Sequence, residues 1–141
     1  MDARRFHAQA VELLRGGRPV DCRSAISRAY YGAFHVAAEI LRRNGFPILE
    51  NATAHEQVKR HLLGSRDTTV IAIGSQLGDL RSMRNKADYE LRLAKVEDKK
   101  TAELWVSSAG QHIRSLEASF AGPNRAKIVA AIQEWKKQSG T

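Results

Sequence analysis

The chain is poor in most of what locks a fold or spans a membrane. It has a single cysteine, Cys22, in 141 residues, so no internal disulfide framework exists and no Cys/His grouping has zinc spacing. That suits a reducing compartment. No apolar run is long enough to cross a bilayer. Met1 to Leu14 has neither the apolar core nor the small-residue cleavage site of a secretory signal. A cytoplasmic protein without a membrane partner is the simplest expectation. Prolines number three and fall at breaks between periodic segments. Acidic residues are also scarce: 15 Asp and Glu against 23 Lys and Arg leave a net charge of +8, with a pI near 10.1. A basic chain favours acidic partners, nucleic acid first. The same charge also serves simply to keep a protein dissolved.

Period-two alternation is missing too, which excludes a sheet protein, and helical periodicity replaces it almost throughout. Phe6, Ala10, Leu13 and Leu14 make one stripe, ended by "GGRP" at 16–19, where glycine caps and proline cannot continue a helix. A second helix is expected from about Asp21 to Asn44, with Tyr30, Ala33, Phe34, Ala37, Ile40 and Leu41 inside, broken by "NGFP" at 44–47. A third spans Thr53 to Leu63, with Thr53 and Glu56 at capping-box spacing. After the loop "GSRDT", a fourth covers Thr69 to Leu91. Its start, "TTVIAIGSQL", is β-branched, but its stripe stays in register with Leu80. A fifth runs from Asp98 to Phe120 with Trp105, His112, Ile113, Leu116 and Phe120 on one face. Pro123 fits the first turn of a last helix carrying Ile128, Ala131, Ile132 and Trp135. The polar tail from Lys136 is expected to fray. The expected fold is an all-α, up-and-down helical bundle of five to six helices with short loops. It forms one domain over 1–141, with a core at about 3–120 and an added C-terminal helix at about 123–138.

Two polar lines interrupt the stripes. On the fourth helix, stepping on from Ile73, Leu77 and Leu80 leads to Arg84, Ala87 and Leu91. A permanent cation thus replaces a core residue at the centre of an apolar stripe, where it needs an acceptor. Asp88, one turn on, can supply it, while Arg81 and Asn85 flank the line and Tyr89 lies beside Asn85. The pair either fixes helix packing from within, or lines a cleft or dimer seam where Arg84 meets a phosphate or a partner's carboxylate. On the second helix, Ser24, Arg28, Tyr31, His35 and Glu39 share a sector. Arg, Tyr and His together can hold phosphates and stack on bases. They also suit an ordinary boundary face, with Tyr31 half-buried, His35 hydrogen-bonded and Arg28 paired with another side chain.

"SRAYYGAFHVAAEIL" at 27–41 followed by "LRSMRNKADYEL" at 80–91 resembles the HEPN superfamily, closest to small prokaryotic members with an Arg-x-x-Ala-Asp-Tyr motif. The resemblance covers about residues 3–120. It implies an α-helical bundle that often dimerises. It also implies activity as a metal-independent RNase of toxin–antitoxin, phage-defence or CRISPR systems, without a cofactor. The composite site comes from two Arg-polar-x-x-x-His motifs facing each other across the dimer, and many such toxins pair with a nucleotidyltransferase antitoxin. Carried over, Arg84 is the motif arginine and Asn85 its polar neighbour. The motif His position holds Tyr89, and no His lies between Arg66 and Gln111.

His is well suited to acid–base work near neutrality. Tyr is a poor base, and an arginine beside Asp88 weakens it as one. His35, His55 and His61 remain as groups that enter from other helices. Three functions follow. One is an RNA-cleaving toxin or defence component using Arg84, Asn85, Asp88 and Tyr89. Another is a non-catalytic module that binds RNA, a nucleotide or a nucleotidyltransferase, with Arg28, Tyr31, His35 and Arg81 contributing. The last is an oligomerisation domain whose seam is set by Arg84 and Asp88. Some HEPN toxins are nucleotidylated on a tyrosine two residues after the His, a position occupied here by Leu91, so Tyr89 matches only loosely.

Overall fold

The computed structural model describes residues 1–140. Six α-helices follow one another: α1 (Arg4–Gly16), α2 (Pro19–Arg43), α3 (Ala54–Leu63), α4 (Thr68–Tyr89), α5 (Lys99–Ala121) and α6 (Arg125–Ser139). One 3₁₀ turn, Ala94–Glu97, lies before α5. No strand occurs among the described residues. The architecture is the expected all-α bundle.

Helix α2 is its axis. Small residues allow this: Ala25, Ala29, Gly32, Ala33, Ala37 and Ala38 are buried along it, so neighbours approach its backbone closely. At Gly32 an added Cβ would stand 3.1 Å from the His7 backbone nitrogen, which makes the α1–α2 contact backbone to backbone. Helices α1, α3, α4 and α5 all pack on α2. Helix α4 runs back along it, bringing residues 81–88 opposite 27–31. Helix α3 lies across α4, with Gly74 under Leu62 and Gly78 under Lys59. The stripes expected on α2 are all buried, as are His112, Ile113, Leu116 and Phe120 of α5 and Ile128, Ala131 and Ile132 of α6.

Helix ends follow capping chemistry. Asp67 accepts from the Val70 N–H at 3.0 Å, and Asp98 accepts from Thr101 at 2.9 Å. These are N-caps that satisfy otherwise orphaned donors. Gly17 takes the left-handed conformation after α1, with φ 67°, as a C-terminal glycine does.

Four details differ from the sequence expectation. Thr53 makes no cap bond to α3; its hydroxyl instead donates to Asn51 Oδ1 and accepts from Gln57 Nε2. Pro123 stands before the last helix, whose N-cap is Asn124. The tail does not fray at Lys136, because Trp135 and Lys136 pack on His61 and Phe46 and the helix continues to Ser139. And α4 stops at Tyr89, leaving Leu91 outside the helix and 75% exposed.

The last difference has a specific cause in Arg23. This residue is buried, and its guanidinium donates to the carbonyls of Ala87 (2.8 Å), Glu90 (3.1 Å), Leu91 (3.1 Å) and Leu93 (3.3 Å). Its Nε also donates to Glu97 Oε2 at 2.8 Å. The last carbonyls of α4 therefore find a cation instead of further helical N–H groups, and the chain turns.

Candidate functional site

Arg84 lies beside the core of α4, not at its centre. The buried residues around it are Leu80, Met83 and Ala87, while the Arg84 side chain is 18% exposed. Its Nη2 donates to the Tyr31 hydroxyl at 2.6 Å and its Nη1 to Asn85 Oδ1 at 2.5 Å. Its Nε is 3.0 Å from Asp88 Oδ2, as an ion contact. That N–H is not aligned for a hydrogen bond and has no acceptor among the described residues. Asp88 Oδ2 is held in turn by the Ser27 hydroxyl at 3.1 Å. A guanidinium carries more donors than these partners use, so Arg84 is anchored with donors to spare.

The two polar lines of the sequence form one face. Arg84 Cζ lies 5.0 Å from the Tyr31 ring centre and 5.9 Å from that of Tyr89. Arg28 also lies near the rings of both Phe6 and Tyr31, 5.8 and 5.9 Å from their centres. Such cation–ring contacts favour desolvated, planar arginines. Tyr31 is half-buried as on an ordinary boundary face, but among the described residues Arg28 has no ion pair and His35 has no hydrogen bond. His35 instead stacks on Phe6, with ring centres 5.5 Å apart, and lies 6.1 Å from Tyr31. Phe6, on α1, is a site residue that its place in an apolar stripe concealed.

A further histidine joins from α3. His55 stacks on Phe34 at 4.3 Å and packs against the edge of Tyr31 at 6.4 Å. Its Nδ1 meets the hydroxyl of Tyr30. Tyr30 is 2% exposed, and burial pushes its phenol upward, so it keeps its proton. With no other acceptor for that proton, Tyr30 donates to Nδ1, and His55 carries its own hydrogen on Nε2. Burial holds the His55 imidazole below its ordinary pKa, with Arg81 and Arg84 adding repulsion. Burial likewise lowers His35. Both are neutral imidazoles near pH 7. His61 does not join them; it sits by Phe46 and Trp135.

The remaining candidates divide. Asn85 and Asp88 contact Arg84 directly. Tyr89 is 73% exposed at the rim, as Leu91 is. Arg81 turns to a different place, a cavity between α3 and α4. An open cleft of about 450 Å³, lined by Tyr31, Phe34, His35, Arg42, Asn51 and His55, adjoins the face. Such a surface offers ring faces for stacking and cations for phosphates, with two uncharged imidazoles. Among the described residues no group of His, Cys, Asp and Glu has the makings of a metal site, and no helix is long and apolar enough to cross a membrane.

Fold and site together define the chain as an α-helical bundle with a basic, aromatic face made by α1 to α4. No family model, curated protein or solved structure matches it.

Proposed function

We propose that this chain is a HEPN-type RNA-binding protein that works as a homodimer, with Arg84 contacting the phosphodiester. The observation that carries the reading is the convergence of Arg28, Tyr31 and His35 of α2 with His55 of α3 and Arg84 of α4 on one open face. Cations that track a backbone beside rings that accept bases are the recurring means of holding single-stranded nucleic acid. Tyr89, 5.9 Å from the Arg84 guanidinium, and Leu91 just past the end of α4 are both exposed and supply apolar surface for a second copy, and a dimer would set two such arginines across a seam. The test is anisotropy of labelled single-stranded RNA with wild type and Arg84→Ala, with molar mass by light scattering. Affinity lost in a folded mutant supports the reading. Unchanged affinity overturns it. A monomeric wild type removes the seam, and Leu91→Ser should dissociate a dimer built on it.

Cleavage is a second reading, favoured by the two neutral imidazoles. His35 has both ring nitrogens free of hydrogen bonds and suits a base. His55, with a fixed Nε2–H, suits a donor to a phosphate oxygen. Metal-free RNA cleavage by wild type, lost in His35→Ala, would support a defence or toxin role. No cleavage leaves a binding module. The exposed Tyr89 also suits a nucleotidyltransferase partner, and an adenylate-sized mass increment on Tyr89 after incubation with such an enzyme and ATP is the corresponding test.

A further inference from the structure

Beyond the Arg84 face, a small cavity of about 130 Å³ opens between α3 and α4, with Tyr30 and Phe34 of α2 at its back. Its remaining walls carry His55 and Lys59 from α3 and Arg81 from α4. Arg81 is half-buried, yet it has no hydrogen bond or ion pair among the described residues. Lys59 has none either. The Arg81 guanidinium and the Lys59 ammonium therefore keep their donors free for an anion. The one acid on the wall, Glu56, faces Arg60 at 3.5 Å, so it does not neutralise the pair.

Gly78 provides the independent sign. Glycine in a helix interior weakens the helix relative to alanine, so it calls for a reason. Gly74, one turn earlier, has one in packing: an added Cβ would meet Leu62 at 3.0 Å. Gly78 has no such neighbour. An added Cβ there would meet only the Lys59 side chain, with Nζ at 3.2 Å. The missing side chain leaves the floor of the cavity open and lets the ammonium lie against α4.

We infer that this cavity binds a phosphate group, held by Arg81 and Lys59 beside the His55 ring. Its size suits a single tetrahedral anion. The inference rests on the RNA reading only for what carries the phosphate: the terminal phosphate of an oligonucleotide, or free phosphate. The groups facing His55 are Tyr30, Tyr31, Phe34 and His35 from α2, Arg81 and Arg84 from α4, and Glu56 and Lys59 from its own helix. An anion set among these cations should therefore raise the His55 pKa.

The experiment follows the histidine ring signals by NMR while inorganic phosphate is added at constant ionic strength. A saturable shift of His55, absent in Arg81→Gln and weakened in Lys59→Gln, is the expected result. A His55 signal that phosphate does not move, or moves equally in Arg81→Gln, overturns the inference. Gly78→Ala gives a second handle that misfolding cannot imitate: it should raise the melting temperature while weakening phosphate binding. Unchanged binding in that more stable variant also counts against the site. A 5′-phosphorylated oligonucleotide that binds about tenfold tighter than its 5′-hydroxyl form, with the preference lost in Arg81→Gln, makes RNA the carrier. Equal binding of the two, with phosphate itself still bound, makes it free phosphate. Loss of RNA binding in Arg84→Ala with phosphate binding intact separates this cavity from the Arg84 face.

Discussion

Arg23 and Arg84 occupy facing helices of one small bundle and have opposite fates. Arg23 is buried and spends its donors on four carbonyls and a carboxylate. Every acceptor is fixed by the fold, and each of the three guanidinium nitrogens has a protein partner. Arg84 is held by a phenol, an amide and a misaligned carboxylate, and one N–H lacks an acceptor. A withdrawn cation is thus not in itself a functional sign. What matters is whether its hydrogen-bonding capacity has been used up. Arg81 sits at the far end of that scale, with no protein acceptor.

Mutation should separate the two sharply. Arg23→Ala strands the Glu97 carboxylate and the carbonyls at the end of α4. Urea unfolding should show a loss of about 2–4 kcal/mol, since four carbonyl hydrogen bonds go together with the ion pair. Arg84→Ala should cost less, about 1–2 kcal/mol in the same assay, because it gives up two side-chain hydrogen bonds and a misaligned ion contact and no backbone carbonyls. Its RNA affinity should nevertheless fall about tenfold, with a salt slope shallower by about 1. If Arg84→Ala instead unfolds the protein as Arg23→Ala does, the contrast is wrong and Arg84 is structural.

Tyr31→Phe removes the acceptor at 2.6 Å from Arg84 while keeping the ring. It should destabilise the fold by about 1 kcal/mol and weaken RNA binding less than Arg84→Ala does. A double-mutant cycle between the two measures their coupling.

Mild acid should have the smallest effect. Burial lowers His61 and His112 in the sealed interior and His35 and His55 at the open face. Each folded pKa lies below the ordinary 6.5, so near and below that value the unfolded chain binds more protons than the folded one. Stability should be complete above pH 6.5 and decline as pH falls beneath it. Denaturation midpoints across pH 5 to 8 check the sign; a midpoint that rises on acidification contradicts it.

The arrangement of α4 was largely legible because apolar residues at helical spacing reveal a buried face whatever the neighbours are. Arg84 and Asp88 were legible as a pair for the same local reason, one turn apart. Arg23 was not. Its acceptors are backbone carbonyls 64 to 70 residues away, and carbonyls leave no mark in a residue string. Nor was the end of α4 at Tyr89, since Arg23 determines it. His55 could be noted as a free histidine, but only the crossing of α3 over α4 puts it against Tyr30 and Tyr31. Thr53 misled because its capping spacing is a local signal, and Asn51 competes for the hydroxyl.

Cys22 turns from an exclusion into an instrument. The thiol is fully buried on the central helix, and burial pushes it up, away from the reactive thiolate. An alkylating reagent can therefore reach it only when α2 separates from its neighbours. The labelling rate of the native, unmodified chain becomes a stopwatch for that opening. Occupants of the Arg84 face or of the Arg81 cavity should slow it, because both sites hold α2 to α4.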